Sequence, residues 1–314
     1  MMNKPSVVVV GSSNTDMVVT APRIPAPGET ILGGAFIEAA GGKGANQAVA
    51  AARLGASVTF VARVGLDVLG TAAITHYQNE GIDTSFIVQD EDARSGVALI
   101  IVDANGENAI AVASGANMRL SPEDVERAAP AIRRADVVML QLEIPYETIQ
   151  YTVNLATDAG IPILLNPAPA RSLDMALLRK IKYLTPNESE AEGLTGIPVK
   201  DDTTANRAAH ALLALGVETV ILTRGASGVS WASEAGCGHV AAPRVQAVDT
   251  TAAGDAFNGG LAVAVAGGRD LSEALRFACQ VGALAVTRLG AQPSLPTLQD
   301  VQNYYPVGYQ RVQP

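Results

Sequence analysis

The stretch that decides the fold begins Val137-Val138-Met139-Leu140-Gln141-Leu142, continues through Glu143-Ile144-Pro145-Tyr146 into Glu147 to Ala159, and closes on Ile161-Pro162-Ile163-Leu164-Leu165. An apolar run with little alternation predicts a strand over Val137 to Leu142 that is covered on both faces. Glu147 to Ala159 predicts a helix, and Ile161 to Leu165 a second buried strand. Outward from here the same alternation recurs. Val7 to Val10 predicts the first strand, a helix follows from about Gly44 to Leu54 and ends at Gly55, and Ser57 to Val61 predicts another strand. Ala72 to Asn79 predicts a helix stopped by Gly81. Ser121-Pro122-Glu123-Asp124 predicts a helix start, with a capping serine, proline in the first turn and acids at the positive dipole end. Tyr183 to Thr185 and Thr219 to Thr223 predict strands around helices at Glu188 and over Ala205 to Leu215. Together these predict an α/β fold: a doubly wound, mostly parallel sheet with helices on both faces.

Two stretches break the alternation. Asp16 to Phe36 holds extended segments divided by Pro22, Pro25, Pro27 and Gly28, and Ser95 to Val112 holds two strand-like runs around Asn105-Gly106, a hairpin-forming pair. Two antiparallel pieces inside a parallel chain predict one small β-sheet beside the core, either a lid or an edge extension. The division is then a core of residues 1–14, 41–93 and 114–314, and a lid of residues 15–40 and 94–113. Tyr304 to Pro314 is expected to be a poorly ordered tail.

The chain has 314 residues, 48% of them hydrophobic and 17% charged, with a net charge of -9. That composition excludes a disordered chain. The acidic balance opposes nucleic-acid binding, which needs a basic surface. No apolar run reaches the ~18 residues of a membrane span. Two cysteines, Cys237 and Cys279, make no disulfide framework or zinc spacing, so a reducing cytoplasm is expected. No P-loop pattern occurs, and Gly11-Ser12-Ser13-Asn14-Thr15-Asp16 after the first strand lacks the dinucleotide-binding glycine pattern, which opposes a nicotinamide oxidoreductase.

Several groups could carry chemistry at the carboxyl ends of the strands, where open α/β sheets bind ligands. Asn14 and Asp16 follow the first strand; the carboxylate can grip two neighbouring sugar hydroxyls, or the pair can simply form a turn. Gly41-Gly42-Lys43-Gly44-Ala45-Asn46 opens a helix and offers backbone approach plus two side-chain donors, or is a flexible loop with a cap. Glu143 ends the Val137 to Leu142 strand and is another hydroxyl acceptor or merely solvated. Asp249-Thr250-Thr251-Ala252-Ala253-Gly254-Asp255 is the strongest feature. Small residues crowd the start of the helix Ala256 to Val265, so successive amides can point at one anion. A carboxylate there suits a base that takes a proton from an attacking alcohol; as a helix cap alone, Asp255 leaves the small-residue run unexplained. Asn187-Glu188-Ser189-Glu190 can organise a hydrated Mg²⁺ or start a helix. Thr223 to Gly228 can run under a nucleotide or lead into a hairpin.

In combination, Gly41-Gly42 through Asn46, Asn166-Pro167-Ala168-Pro169, Asn187-x-x-Glu190, Asp249-Thr250 through Asp255 and Gly290-Ala291-Gln292-Pro293-Ser294 resemble the ribokinase-like (phosphofructokinase-B-type) carbohydrate kinases across the whole chain. The resemblance implies ATP-dependent phosphorylation of the 5-hydroxyl of D-ribose. The alternatives are another sugar or nucleoside kinase of the family and, from a different class, a non-catalytic sugar-binding protein. It implies a sugar set of Asn14, Asp16, Gly42, Lys43, Asn46, Glu143 and Asp255, with Asp255 as the base. It implies an anion hole at Ala252, Ala253 and Gly254, reaching Asp255. Nucleotide contacts fall to Asn187, Thr223, Gly225, Gly228, Gly254 and Cys279, with Glu190 near Mg²⁺. Asp249, Thr251, Ala285, Arg288, Gly290 and Ser294 match a K⁺ site, most through backbone carbonyls. The lid is expected to pair two subunits into a homodimer. Two positions depart from the family pattern: Ala252 stands where many members carry glycine, and Cys279 where a histidine is expected.

Overall fold

The protein is described by a computed structural model, which covers residues 4–306. The strands in chain order are β1 (Ser6–Val10), β2 (Asn14–Thr20), β3 (Phe36–Gly41), β4 (Ser57–Gly65), β5 (Asp83–Asp90), β6 (Gly96–Val102), β7 (Asn108–Ala113), β8 (Val137–Leu140), β9 (Ile163–Leu165), β10 (Tyr183–Leu184), β11 (Thr219–Thr223), β12 (Val229–Ser233) and β13 (Gly236–Val240). The helices are α1 (Lys43–Arg53), α2 (Val68–Asn79), α3 (Pro122–Arg127), α4 (Ala129–Ile132), α5 (Tyr146–Asp158), α6 (Met175–Leu178), α7 (Glu188–Thr195), α8 (Asp202–Ala214), α9 (Ala253–Ala266), α10 (Leu271–Ala285) and α11 (Leu298–Tyr304).

The large sheet runs β13-β12-β11-β10-β9-β8-β1-β4-β5. It is parallel from β5 to β11, and β12 and β13 add an antiparallel edge. Period-2 geometry explains why its strands read as apolar throughout. Val7 and Val9 point into one core, with α1, α9 and α10, while Val8 and Val10 point into the other, with α3, α5 and α8. The chain leaves β1 for β4 on one side and later leaves β8 for β9 on the other. The crevice between β1 and β8 is therefore the topological switch point, where α/β sheets place ligands.

The second sheet runs β3-β2-β6-β7. It differs from an all-antiparallel pair of hairpins: β2 pairs with β6 in parallel, from Asn14 opposite Gly96 to Thr20 opposite Val102. Both strands leave the large sheet in the same direction, so they run side by side. The β6–β7 hairpin turns at Asp103–Gly106, where Gly106 takes φ 84°. The first strand of this sheet starts at Asn14, so only Gly11, Ser12 and Ser13 separate it from β1.

Two glycines fix how α9 sits. A Cβ at Gly259 would stand 2.5 Å from the Ala50 Cβ of α1, and one at Gly260 3.1 Å from a Val281 methyl of α10. The three helices approach as closely as they do because those side chains are absent. The expected tail at Tyr304 to Pro314 falls mostly outside the described residues; Tyr304 itself ends α11.

Candidate active site

At the switch point the polar groups converge. Asp16 leaves β2 with its carboxylate against Gly41; a Cβ at Gly41 would come within 2.3 Å of it. Among the described residues neither Asp16 oxygen meets a hydrogen-bond donor. Burial, then the charges of Glu143 and Asp255, push its carboxyl up to about 6. Asn14 is buried, and its Oδ1 accepts from Asn117 Nδ2 at 2.7 Å. Gly42 has φ 88° and lies so close to the backbone of Ser13 and Asn14 that a Cβ would meet the Asn14 nitrogen at 2.7 Å, so glycine is needed here on both counts. Glu143 Oε2 accepts from the Lys43 amide at 3.0 Å and from Ser12 Oγ at 2.5 Å, tying the α1 start to the end of β8.

Asp255 lies in the first turn of α9 and is 6% exposed. Its Oδ2 accepts from Asn46 Nδ2 at 2.9 Å and its Oδ1 from Gln47 Nε2 at 3.0 Å. Burial raises its pKa, opposed by Lys43 and the two amide donors and reinforced by Glu143. For Lys43, burial pulls the ammonium down, but Asp255, Glu143 and Glu190 outweigh it and leave it raised. It stays a cation among three carboxylates.

The turn before α9 carries no side-chain cap. Ala252 has φ 58°, the only non-glycine residue with positive φ among those described, so the position where glycine is the common choice does demand left-handed backbone. The Ala253 N–H turns back onto the Thr250 carbonyl at 3.2 Å. The Gly254 and Asp255 amides have no partner among the described residues, and the space beside Gly254 is open for 4 Å. Asn258 Nδ2 holds the Gly254 carbonyl at 2.8 Å and Thr185 Oγ1 holds Asn258 at 2.7 Å, so the turn is braced from below. This is a rigid, positively polarised pocket with a carboxylate at its mouth.

Asn187 and Glu190 form a reciprocal capping box at the start of α7, with Asn187 donating to both Glu190 oxygens at 2.9 Å. Burial raises the Glu190 pKa, offset by the Asn187 amide and Lys43 and reinforced by Asp255. Thr223 bridges to Asn187 in parallel register. Gly225 and Gly228 bound a single turn with φ 50° and 88°. Cys279 is buried on α10, and burial pushes its thiol to about 12. Asp249 accepts from Thr251 N and Oγ1 and, through its other oxygen, from Gly290 N at 2.8 Å, which joins the two loops. Ala285 closes α10 and its carbonyl accepts from Arg288 N, the Arg288 guanidinium pairs with Asp300, and Ser294 Oγ donates to the Ala291 carbonyl.

Two buried side chains at the centre of the site escaped the sequence reading, Gln47 and Gln141, and a third, Asn166, was quoted in a motif without a role in the site. Gln47 Nε2 reaches Asn166 Oδ1 at 3.2 Å as well as Asp255, and Gln47 Oε1 accepts from Gln141 Nε2 at 2.7 Å. The available signal was Gln141 itself, a polar residue at the end of an apolar strand.

A carboxylate at the mouth of an open helix N-terminus, beside a crevice lined with hydroxyl acceptors, defines an enzyme that transfers a phosphoryl group to an alcohol. The chain belongs to the pfkB family of carbohydrate kinases, whose profile (pfkB family carbohydrate kinase) matches residues 4–298. It is 42% identical to a ribokinase of Haemophilus influenzae over 95% of this chain and 98% of that one. It is 40% identical to a deoxyribokinase of Salmonella typhi, again over 95% and 98%. Among solved structures it superposes on an Arabidopsis thaliana ribokinase complexed with ribose and ATP, with a TM-score of 0.89, 33% identity and coverage of 96% and 98%.

Proposed function

We propose that this enzyme is an ATP-dependent ribokinase that phosphorylates the 5-hydroxyl of D-ribose. The observation that carries this reading is the placement of Asp255 between two unlike half-sites, the sugar-accepting crevice of Asn14, Asp16 and Glu143 and the open amides of Gly254 and Asp255. Asp16 is a half-buried carboxylate with no donor among the described residues, which is costly unless a ligand supplies hydroxyls. Asp255 takes the proton of the 5-hydroxyl. The oxygen then bonds to the γ-phosphorus, the bond to the β-phosphate oxygen breaks, and ADP leaves with that electron pair. The α9 amides and Lys43 stabilise the charge on the transferring group.

The nucleotide runs past Asn187, Thr223 and the Gly225 to Gly228 turn. The buried Cys279 contributes little beyond shape. Glu190 is buried near Lys43 and Asp255, and its carboxyl oxygens suit a hydrated divalent cation. When bound, Mg²⁺ supplies charge neutralisation at the phosphates. The carbonyls of Asp249, Thr251 and Gly290 accept no hydrogen bond among the described residues, which fits a K⁺ site that would hold the two loops together. The Ala285 carbonyl is already shared with Arg288 N.

Residues 15–40 and 94–113 act as a lid, and its exposed Phe36, Ile37, Leu99, Ile110 and Val112 suit a homodimer interface. The cytoplasm suits a chain with two free thiols.

The rival is a deoxyribokinase, and Asn14 favours ribose, because an amide suits a 2-hydroxyl that deoxyribose lacks. The deciding experiment is a coupled assay of ribose, 2-deoxyribose, fructose and nucleosides with MgATP, with and without K⁺. Ribose is expected to give the highest kcat/KM; a higher value for any other acceptor overturns the assignment.

A further inference from the structure

Gln47 and Gln141 form a buried amide pair that no part of the chemistry above uses. Gln47 is 0% and Gln141 1% exposed, so no solvent competes for their bonds. An amide has one donating and one accepting end, whereas an ionised carboxylate only accepts. Gln47 must therefore present its NH₂ to Asp255, where it lies 3.0 Å from Oδ1. Its oxygen is then left facing Gln141, which must in turn donate, and does so at 2.7 Å. Turning Gln141 over would set oxygen against oxygen. The orientation has a visible cost: Gln141 Oε1 is buried with no partner among the described residues. The backbone also makes room for it, since a Cβ at Gly11 would stand 2.1 Å from that oxygen. A buried acceptor left unsatisfied, packed into the space that a side chain at residue 11 would fill, is hard to explain by packing alone.

We infer that Gln47, oriented by Gln141, is a positioning residue that sets the rotation of the Asp255 carboxylate, so that one lone pair of Oδ2 stays aimed at the acceptor hydroxyl. This rests on Asp255 being the base. Asn46 fixes Oδ2 from one side, and a single bond would leave the carboxylate free to rotate about its own axis. The second bond, to Oδ1, removes that freedom. Misplacement on the ångström scale at a reacting centre costs up to about 10²-fold in rate.

The test uses Gln47→Met and Gln141→Met, which keep length and remove the amide, singly and together, with Asp255→Asn as reference. Gln141 makes no hydrogen bond to Asp255 and reaches it only through Gln47, so its variant reads the relay even if Gln47→Met folds poorly. Expected is a fall in kcat of about tenfold or more in each single variant, with KM for sugar and ATP within about threefold. The double variant should be no slower than Gln47→Met alone, because both act through one bond. Unchanged kcat in Gln141→Met, or a double variant in which the two losses multiply, overturns the relay. Should Asp255→Asn keep near-normal turnover, the assignment of the base itself fails, a result the glutamine variants cannot mimic.

Discussion

Asp16 offers the sharpest test of what the site costs the fold. Its carboxyl is held at about 6 against an ordinary 3.8, with burial the first cause and the charges of Glu143 and Asp255 next. A difference of that size disfavours the ionised form by about 3 kcal/mol, an upper bound because the group keeps some contact with water. The sign follows from proton binding. The folded state holds this proton more tightly than the unfolded chain, so stability is greatest below about pH 4. It is lost as pH rises towards 6 and stays lost above that. Asp16→Asn removes the charge and should stabilise the ligand-free protein by up to about 3 kcal/mol at pH 8, with little effect near pH 4. At roughly 2 °C per kcal/mol for a chain this long, melting in matched buffers should show a gap of about 5 °C that closes on acidification. The same variant should bind ribose more weakly, and wild-type ribose affinity should fall as pH drops through about 6, where Asp16 stops accepting. A variant that melts no higher than wild type at pH 8, or a gap of equal size at both ends of the range, would refute the reasoning.

Three further outcomes are expected. Asp255→Asn should retain sugar binding by calorimetry while kcat falls on the order of 10²-fold or more; turnover near wild type removes Asp255 as the base. At Ala252, φ 58° means that glycine is tolerated with stability within about 1 kcal/mol, whereas Ala252→Val costs about 1–2 kcal/mol and lowers kcat, as read by denaturant melts and steady-state rates. A thiol reagent at pH 8 should titrate one fast thiol, the exposed Cys237, and reach Cys279 only on unfolding, since burial holds the latter's pKa near 12; two fast thiols would contradict the packing of α10.

How far the sequence carried these conclusions depends on the range of each interaction. The βαβ unit around Val137 to Leu165 was legible because burial on both faces leaves an unbroken apolar run. The end of α1 at Gly55 was legible because one residue's backbone freedom decides it. The small residues of the 249–255 run marked it as a tight turn into a helix, and the structure adds that Ala252 takes left-handed backbone there. What stayed hidden depends on partners far apart in the chain. β2 and β6 are separated by some eighty residues, and nothing local in either says that they run parallel. Asp83–Asp90 mixes polar and apolar residues because it is an edge strand, so its pattern was too weak to read. Gln47 and Gln141 look like ordinary polar residues until a pairing across 94 positions sets Gln141 behind Gln47 and Gln47 against Asp255. Cys279 is expected beside the nucleotide from the resemblance alone; the structure adds that its side chain is buried on α10.

The closeness of α1 and α9 has a consequence for how such a site can change. Asp255 and Gly259 are one helical turn apart on the same face of α9, and Asn46 and Ala50 stand in the same relation on α1. The Gly259–Ala50 contact is thus a fulcrum directly beneath the Asp255–Asn46 bond. A single methyl inserted at residue 259 would wedge the helices open and lift the carboxylate off its donors without altering any group that meets sugar or phosphate. The aim of the chemistry is calibrated by a missing side chain, at a spot that an inventory of reactive groups would pass over.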